Sequence, residues 1–207
     1  PLTSIRGYAQ AMLDGTIPYE AQEKYLNIIL SETDRLTNLT SNLLELNSFN
    51  RESVLLDLKN FDIQQTIIQT VNTLEGTAAK KEITFILDFC AKKELFVNAD
   101  EGKIHQVLYN LIDNAVKFSH FHSDVKIGTR KKGETVFISV KDSGIGIPKE
   151  SLGKVFDRFY KTDLSRGKDK KGTGLGLSIS KEIITSHKQT INVVSTEGVG
   201  TEFVFTL

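Results

Sequence analysis

One cysteine, three prolines, one methionine and no tryptophan stand among 207 residues. The lone Cys90 excludes an intrachain disulfide framework and any cluster of zinc-binding thiolates. Net charge is missing too, because 26 Lys and Arg face 26 Asp and Glu, a formal balance of zero. That excludes the basic stripe of a general nucleic-acid binder and the polybasic segment of a membrane-surface protein. No apolar run approaches the roughly 18 residues of a membrane span, and no signal-peptide pattern occurs, so the chain is expected to contact neither nucleic acid nor membrane and to work in solution. Internal repeats and low-complexity tracts are absent. What is present, 39% apolar and 25% charged residues, suffices for a packed core in one large or two small domains.

The scarcity of proline makes the organisation readable. From Pro1 to about Phe49 only Gly7, Gly15 and Pro18 interrupt an apolar pattern of helical spacing, which predicts two helices. Gly15-Thr16-Ile17-Pro18 marks the turn, since glycine ends helices and proline starts them. On the second helix Tyr25, Ile29, Glu32, Leu36, Leu39, Leu43 and Leu46 alternate steps of four and three, the spacing of a seam against a partner helix. Leu26, Leu30 and Leu44 widen that seam into the face of a bundle. Alone, the hairpin would expose its leucines, so homodimerisation as half of a four-helix bundle is expected; packing on the rest of its own chain is the other reading.

The pattern divides the chain into a hairpin of residues 1–50, a polar linker of residues 51–60 with Glu52, Asp57 and Lys59, and a mixed part of residues 61–207. Asp62 is read as the N-cap of a helix running to about Glu75, with Ile63, Ile67, Ile68 and Val71 on its buried face. Strands are predicted at Ile83–Phe89 and Leu95–Asn98, either side of a polar turn, then a helix over residues 101–119. A hairpin of Val125–Arg130 and Val136–Lys141 follows, then a helix from near Leu175 and strands at Ile191–Ser195 and Glu202–Leu207. Helices segregated from strands imply an α+β chain, a helical hairpin followed by an α/β layer sandwich.

Three glycine and amide motifs carry chemistry. Asn110, Asn114 and Lys117 are spaced by four and three residues and so emerge on one helical face, opposite Val107, Leu108, Leu111, Ile112 and Ala115. Amide oxygens and an ammonium there suit a hard divalent cation and the phosphates it neutralises. Asp142-Ser143-Gly144-Ile145-Gly146 ends a strand. Its glycines admit a flat ligand, and its carboxylate can accept from an exocyclic amine, which favours adenine over guanine. Gly172-Thr173-Gly174-Leu175-Gly176-Leu177 opens a helix whose backbone N–H groups can hold phosphate. It is not a dinucleotide fingerprint, because Leu177 stands where the third glycine belongs, and no P-loop occurs. Between these lies Phe156-Asp157-Arg158-Phe159 and a basic, apolar-poor stretch with Lys161, Arg166, Lys168, Lys170 and Lys171, expected to be a mobile lid.

That ordered set resembles the catalytic, ATP-binding domain of the sensor histidine kinases, in the superfamily that includes gyrase-type and chaperone ATPases. Residues 110–118 resemble the N box of the family, Asp142–Ile147 its first glycine box, Phe156–Phe159 its F box and Gly172–Ile179 its second glycine box, with Glu197–Thr201 as the closing glycine turn. The resemblance implies ATP and Mg2+ as ligands. Asn114, with Asn110 nearby, would ligate magnesium; Lys117 and Arg158 would touch phosphates. Asp142 would bind the adenine amine with support from Thr201, Phe118 would pack on the base, and Gly144, Gly146, Gly172, Gly174, Leu175 and Gly176 would line the nucleotide. Phe118 replaces a commoner tyrosine, and Lys188-Gln189 stands where the family often has two glycines.

Pro1-Leu2-Thr3-Ser4-Ile5-Arg6-Gly7-Tyr8 is similar to the segment just after the phosphoacceptor of the family. The acceptor histidine is therefore expected upstream of residue 1, in a cytoplasmic portion of a longer, N-terminally truncated sensor. His105, His120, His122 and His187 are expected to be surface or supporting residues. The resemblance implies transfer of the ATP γ-phosphoryl group to that histidine and then to an aspartate of a response-regulator receiver, with the linker as hinge and the hairpin surface as docking face. A conformational-clamp ATPase and a non-catalytic nucleotide-binding regulator are the rival readings. The clamp needs a carboxylate base where Asn110 stands.

Overall fold

The computed structural model describes residues 1–49, 56–91, 93–162 and 172–207 and divides into two compact units, Pro1–Arg51 and Glu52–Leu207. The expected basic lid from Arg166 to Lys171, most of the expected linker and the seam side chains Leu43 and Leu46 lie outside the described residues.

The first unit is a helical hairpin of α1 (Leu2–Leu13) and α2 (Gln22–Phe49), with a 3-10 turn at Tyr19–Ala21. The turn is where the sequence places it. Gly15 adopts a φ of 75°, and Asp14 Oδ1 accepts from Thr16 N at 3.0 Å and Thr16 Oγ1 at 2.6 Å. Tyr8 and Tyr25 pack across the helices with ring centroids 5.1 Å apart. Tyr25, Ile29, Leu36 and Leu39 are half-buried, whereas Leu26, Leu30 and Leu44 face solvent, Leu44 with 72% of its surface exposed. Among the described hydrophobic residues of the hairpin only Ile17 is buried. One hairpin therefore leaves an uncovered leucine face.

The second unit is a five-stranded sheet of order β2-β4-β5-β7-β6 with helices on one face, and a separate two-stranded sheet of β1 and β3. The strands are β1 (Lys59–Asp62), β2 (Thr84–Asp88), β3 (Phe96–Ala99), β4 (Asp124–Lys132), β5 (Thr135–Asp142), β6 (Ile191–Thr196) and β7 (Gly200–Thr206). The helices are α3 (Ile63–Ala79), α4 (Glu101–Phe118) and α5 (Gly176–Ser186). Only β2 and β4 run parallel in the large sheet. Its inner face, with Val125, Ile127, Ile138, Val140, Phe203 and Phe205, packs beneath Ile67, Leu108, Leu111, Ile112, Ile179 and Ile183, all buried. The α+β layer reading thus holds.

Helix starts follow the side chains that cap them. Asp62 Oδ1 accepts from Gln64 N at 3.1 Å and from Leu95 N at 2.9 Å, tying α3 to the entry of β3. Asp100 Oδ1 accepts from Lys103 N at 3.1 Å and starts α4. Several strand and helix ends shift by one or two residues, and two larger differences have a structural cause. Lys59 and Asn60, assigned to the linker, belong to β1, a strand set by its register against β3 rather than by its own pattern. Helix α3 continues past Glu75 through Gly76 because Ala78, one turn later, is buried and its carbonyl closes the helix end.

Candidate nucleotide site

On α4 the side chains of Asn110, Asn114, Lys117 and Phe118 are all half-buried. Asn110 reaches the next glycine motif: its Nδ2 donates to Gly176 O at 3.1 Å and to Ser180 Oγ at 3.3 Å. Helix α5 thus begins against α4. Among the described residues no side chain caps α5, whose N-cap is Leu175, and the N–H groups of a helix's first turn are the kind that meet an anion. Lys117 Nζ sits 2.6 Å from Asp113 Oδ2, one helical turn away. The sequence reading passed over Asp113, although an acid four residues before a lysine on a helix is its own signal.

The turn after β5 closes on the far end of α4. Ser119 and Gly144 form an isolated antiparallel bridge, and Ile145 N donates to Phe118 O at 3.2 Å. A Cβ on Gly144 would strike Phe118 O, and one on Gly146, which has a φ of 67°, would strike Thr196 O. These two positions therefore require glycine for close approach.

Asp142 is buried, and its Oδ1 accepts from Gly144 N at 2.9 Å and Thr201 N at 3.2 Å. Oδ2 has no partner among the described residues. Burial pushes the Asp142 carboxyl above the usual carboxylate range, opposed by those two N–H groups and, more weakly, by His120. Thr201 is buried beside it, its Oγ1 2.9 Å from Ser195 Oγ, and Ser195 Oγ in turn takes Ile147 N at 2.9 Å. The sequence reading missed Ser195, the residue that links the Asp142 turn to β6.

The second glycine turn is held by the F box. Phe159 N donates to Gly174 O at 2.9 Å, and Gly174 has a φ of 73° with no room for a Cβ beside the Phe159 main chain. Leu175 is buried and its N–H donates to Thr173 Oγ1 at 3.3 Å, with Gly172 just ahead. Phe156 packs edge-on against Phe203 at 6.2 Å. Arg158 pairs with Glu182 of α5 at 3.6 Å, so its partner here is α5 rather than the Lys117 end of α4. His187 supports the scaffold: its Nε2 accepts from Asp100 N at 3.0 Å while Nδ1 lies 2.8 Å from Ile183 O, which places the ring proton on Nδ1.

The geometry joins three motifs distant in sequence around one helix. Residues 99–207, which include every candidate site residue, match the family described as "Histidine kinase-, DNA gyrase B-, and HSP90-like ATPase". This chain belongs to that family. Residues 1–52 match the "His Kinase A (phospho-acceptor) domain", and the pair in this order is the catalytic core of a sensor histidine kinase. The core is 37% identical over 212 residues to the sensor histidine kinase WalK of Bacillus subtilis (strain 168), matching all of this chain and 34% of that protein. It is 37% identical over 210 residues to the sensor protein kinase WalK of Staphylococcus aureus, matching 50% of that protein. It thus spans a third to a half of the length of these relatives.

Among solved structures, the Acinetobacter baumannii histidine kinase AdeS superposes with a TM-score of 0.82 at 25% identity, covering 100% of this chain and 94% of that one. The histidine kinase ThkA, solved in complex with the response regulator protein TrrA, gives 0.79 at 30% identity, covering 100% and 57%. No helix among the described residues of the core is long and apolar enough to cross a membrane.

Proposed function

We propose that this core binds ATP with Mg2+ between α4, the Asp142 turn and the start of α5, and passes the γ-phosphoryl group to a histidine of the phosphoacceptor domain and on to a receiver aspartate. The observation that carries this reading is the double closure on α4: the Asp142 turn bonds to Phe118 and Ser119 at one end, and Gly176 bonds to Asn110 farther back. Adenine recognition falls to the partnerless Oδ2 of Asp142, with Thr201 holding Oδ1 in place and Phe118 beside it. Gly144 and Gly146 bring the main chain close. Gly172, Gly174, Leu175 and Gly176, with the uncapped first turn of α5, hold phosphate oxygens; Lys117 and Arg158 are the cations that meet them.

The residues present fit magnesium. Asn114 is half-buried on α4 and has no hydrogen-bond partner among the described residues, and Asn110 keeps its Oδ1 while its Nδ2 is engaged. Among the described residues no group of three His, Cys, Asp or Glu could hold a metal, so a site of one or two amide oxygens is the available kind. When bound, the ion supplies neutralisation of phosphate charge. Asn110, Asn114, Lys117 and the α5 N-terminus orient the phosphates, and positioning rather than acid–base chemistry carries the transfer.

No histidine occurs within residues 1–52, the stretch that matches the phosphoacceptor domain, so none of those residues is the acceptor. Residues 1–50 are assigned dimerisation and phosphotransfer, residues 51–58 the hinge, and residues 59–207 ATP binding, because Lys59 and Asn60 pair with β3. The uncovered Leu26, Leu30 and Leu44 support a homodimer through the hairpin, and the complex of the similar ThkA with TrrA supports a receiver partner. A cytoplasmic location follows from the need for ATP and a receiver. The rival clamp ATPase is disfavoured by Asn110, an amide whose nitrogen is committed to Gly176 and Ser180 and which cannot take a proton from water.

Calorimetry with a non-hydrolysable ATP analogue tests the site. Binding should need Mg2+ and exceed binding of the guanine analogue; equal affinity for both would contradict the role of Asp142. Mass analysis after incubation with ATP should show no phosphohistidine among the four histidines of residues 1–207, and finding one would move the acceptor.

A further inference from the structure

We propose that Lys81 is a positioning residue of the nucleotide site, holding the carbonyl end of α4 so that the Asp142 turn can seat on it. The inference rests on the ATP reading above and adds a residue that touches no nucleotide. A helix leaves its last carbonyls without internal partners, and the common remedy is a left-handed residue that folds the chain back over them. Helix α4 does not use it. Its C-cap Ser119 is extended, with φ −60° and ψ 154°, because Ser119 must run alongside Gly144 to make their bridge. The geometry that builds the adenine turn therefore strips the helix end of its backbone cap.

An ammonium from another element fills that place. Lys81 Nζ, from the turn between α3 and β2, donates to Val116 O at 2.9 Å, Lys117 O at 2.5 Å and Ser119 O at 3.4 Å. The remaining carbonyl of the group, Phe118 O, accepts from Ile145 N of the Asp142 turn. All four carbonyls from Val116 to Ser119 are thus accounted for: three on Lys81, one on the nucleotide turn. A cation is also the right charge for the negative end of the helix dipole.

Lys81 is itself held, its N–H on Ala78 O at 2.9 Å and its carbonyl accepting from His122 N at 3.0 Å. Gly144 approaches Phe118 O so closely that a single Cβ would collide, so a small shift of the helix end moves the Asp142 turn directly.

The test compares wild type, Lys81→Met and Lys81→Arg in the whole 207-residue chain, measuring affinity for the Mg2+ complexes of the adenine and guanine analogues, with thermal unfolding of each. Lys81→Met should weaken adenine-analogue binding by about ten-fold and narrow the preference for adenine, the loss expected for one charged donor removed. Lys81→Arg should recover most of both. Where Lys81→Met does not stay folded, Lys81→Gln, which keeps one donor, carries the same comparison. A lowered unfolding temperature with unchanged affinity and preference would overturn the inference alone. Wild type that binds neither analogue would overturn the ATP reading and this inference with it.

Discussion

Asp142 carries a conflict between stability and recognition. Its carboxyl is buried, and burial raises its pKa above the ordinary carboxylate range. A folded-state pKa above the unfolded value means a contribution to stability that is fully present below the unfolded pKa and lost as pH rises through the folded one. Once ionised, the group therefore costs the fold stability. Asp142→Asn should raise the unfolding temperature, or leave it unchanged, while weakening adenine-nucleotide binding by about ten-fold or more. Binding by wild type should also fall as pH drops through the raised Asp142 pKa, because a protonated carboxyl no longer offers an anionic acceptor. A binding profile flat through that range would show that Oδ2 does not meet the base.

At this scale the residue types were legible and their partners were not. Asn110 could be placed on a face by its spacing, but its bonds to Gly176 and Ser180 join positions about seventy residues apart. Lys81 gave no signal at all, since a lysine beside a turn looks like any solvated charge.

Elements announce their starts better than their ends. Asp62 was readable as a cap from an Asp standing just before an apolar helical pattern, whereas Asp100, which caps α4 in the same way, was passed over. Strand β1 was not readable, having Phe61 as its one buried hydrophobic residue and its register imposed by β3. The ends of α3 and α5 share a motif, of which the sequence signalled only the α5 turn, through Lys188-Gln189. Ile83 N donates to Ala78 O and Glu82 N to Ala79 O; Gln189 N donates to Ile184 O and Lys188 N to Thr185 O. Both turns place a left-handed residue where glycine is usual, Glu82 with φ 55° and Lys188 with φ 58°.

Glu82→Gly and Lys188→Gly should each stabilise the domain by up to about 1 kcal/mol, read as a rise in urea midpoint. The exposed Glu82–His122 pair at 2.9 Å subtracts little from the first. By contrast, Leu111→Ala in the buried face of α4 should cost about 2–5 kcal/mol.

For the whole molecule, the division into two units sets which surface does what. The hairpin exposes Leu26 and Leu30 on one chain, so Leu26→Glu combined with Leu30→Glu should convert a dimer to a monomer in sedimentation while leaving nucleotide affinity within about two-fold. A variant that stays dimeric would mean the leucine face is covered in another way. In the second unit the helices lie on one face of the large sheet, and the other face carries a groove of about 410 Å³ lined by Asp88, Lys126, Arg130, Phe137, Lys141 and Glu202. Two hydrogen-bonded cations, Arg130 and Lys126, hold Asp88 down to a pKa of about 2 there, so this groove offers a neutralised anion rather than a phosphate cradle.

The two faces give the most direct test of where the nucleotide sits. Backbone amide shifts should be followed by NMR as the Mg2+ complex of a non-hydrolysable ATP analogue is added. The account predicts the largest changes at Asn114, Gly144, Gly146, Gly174, Gly176 and Thr201. Changes centred instead on Lys126, Arg130 and Lys141, with the α4 and glycine-turn amides unmoved, would contradict it.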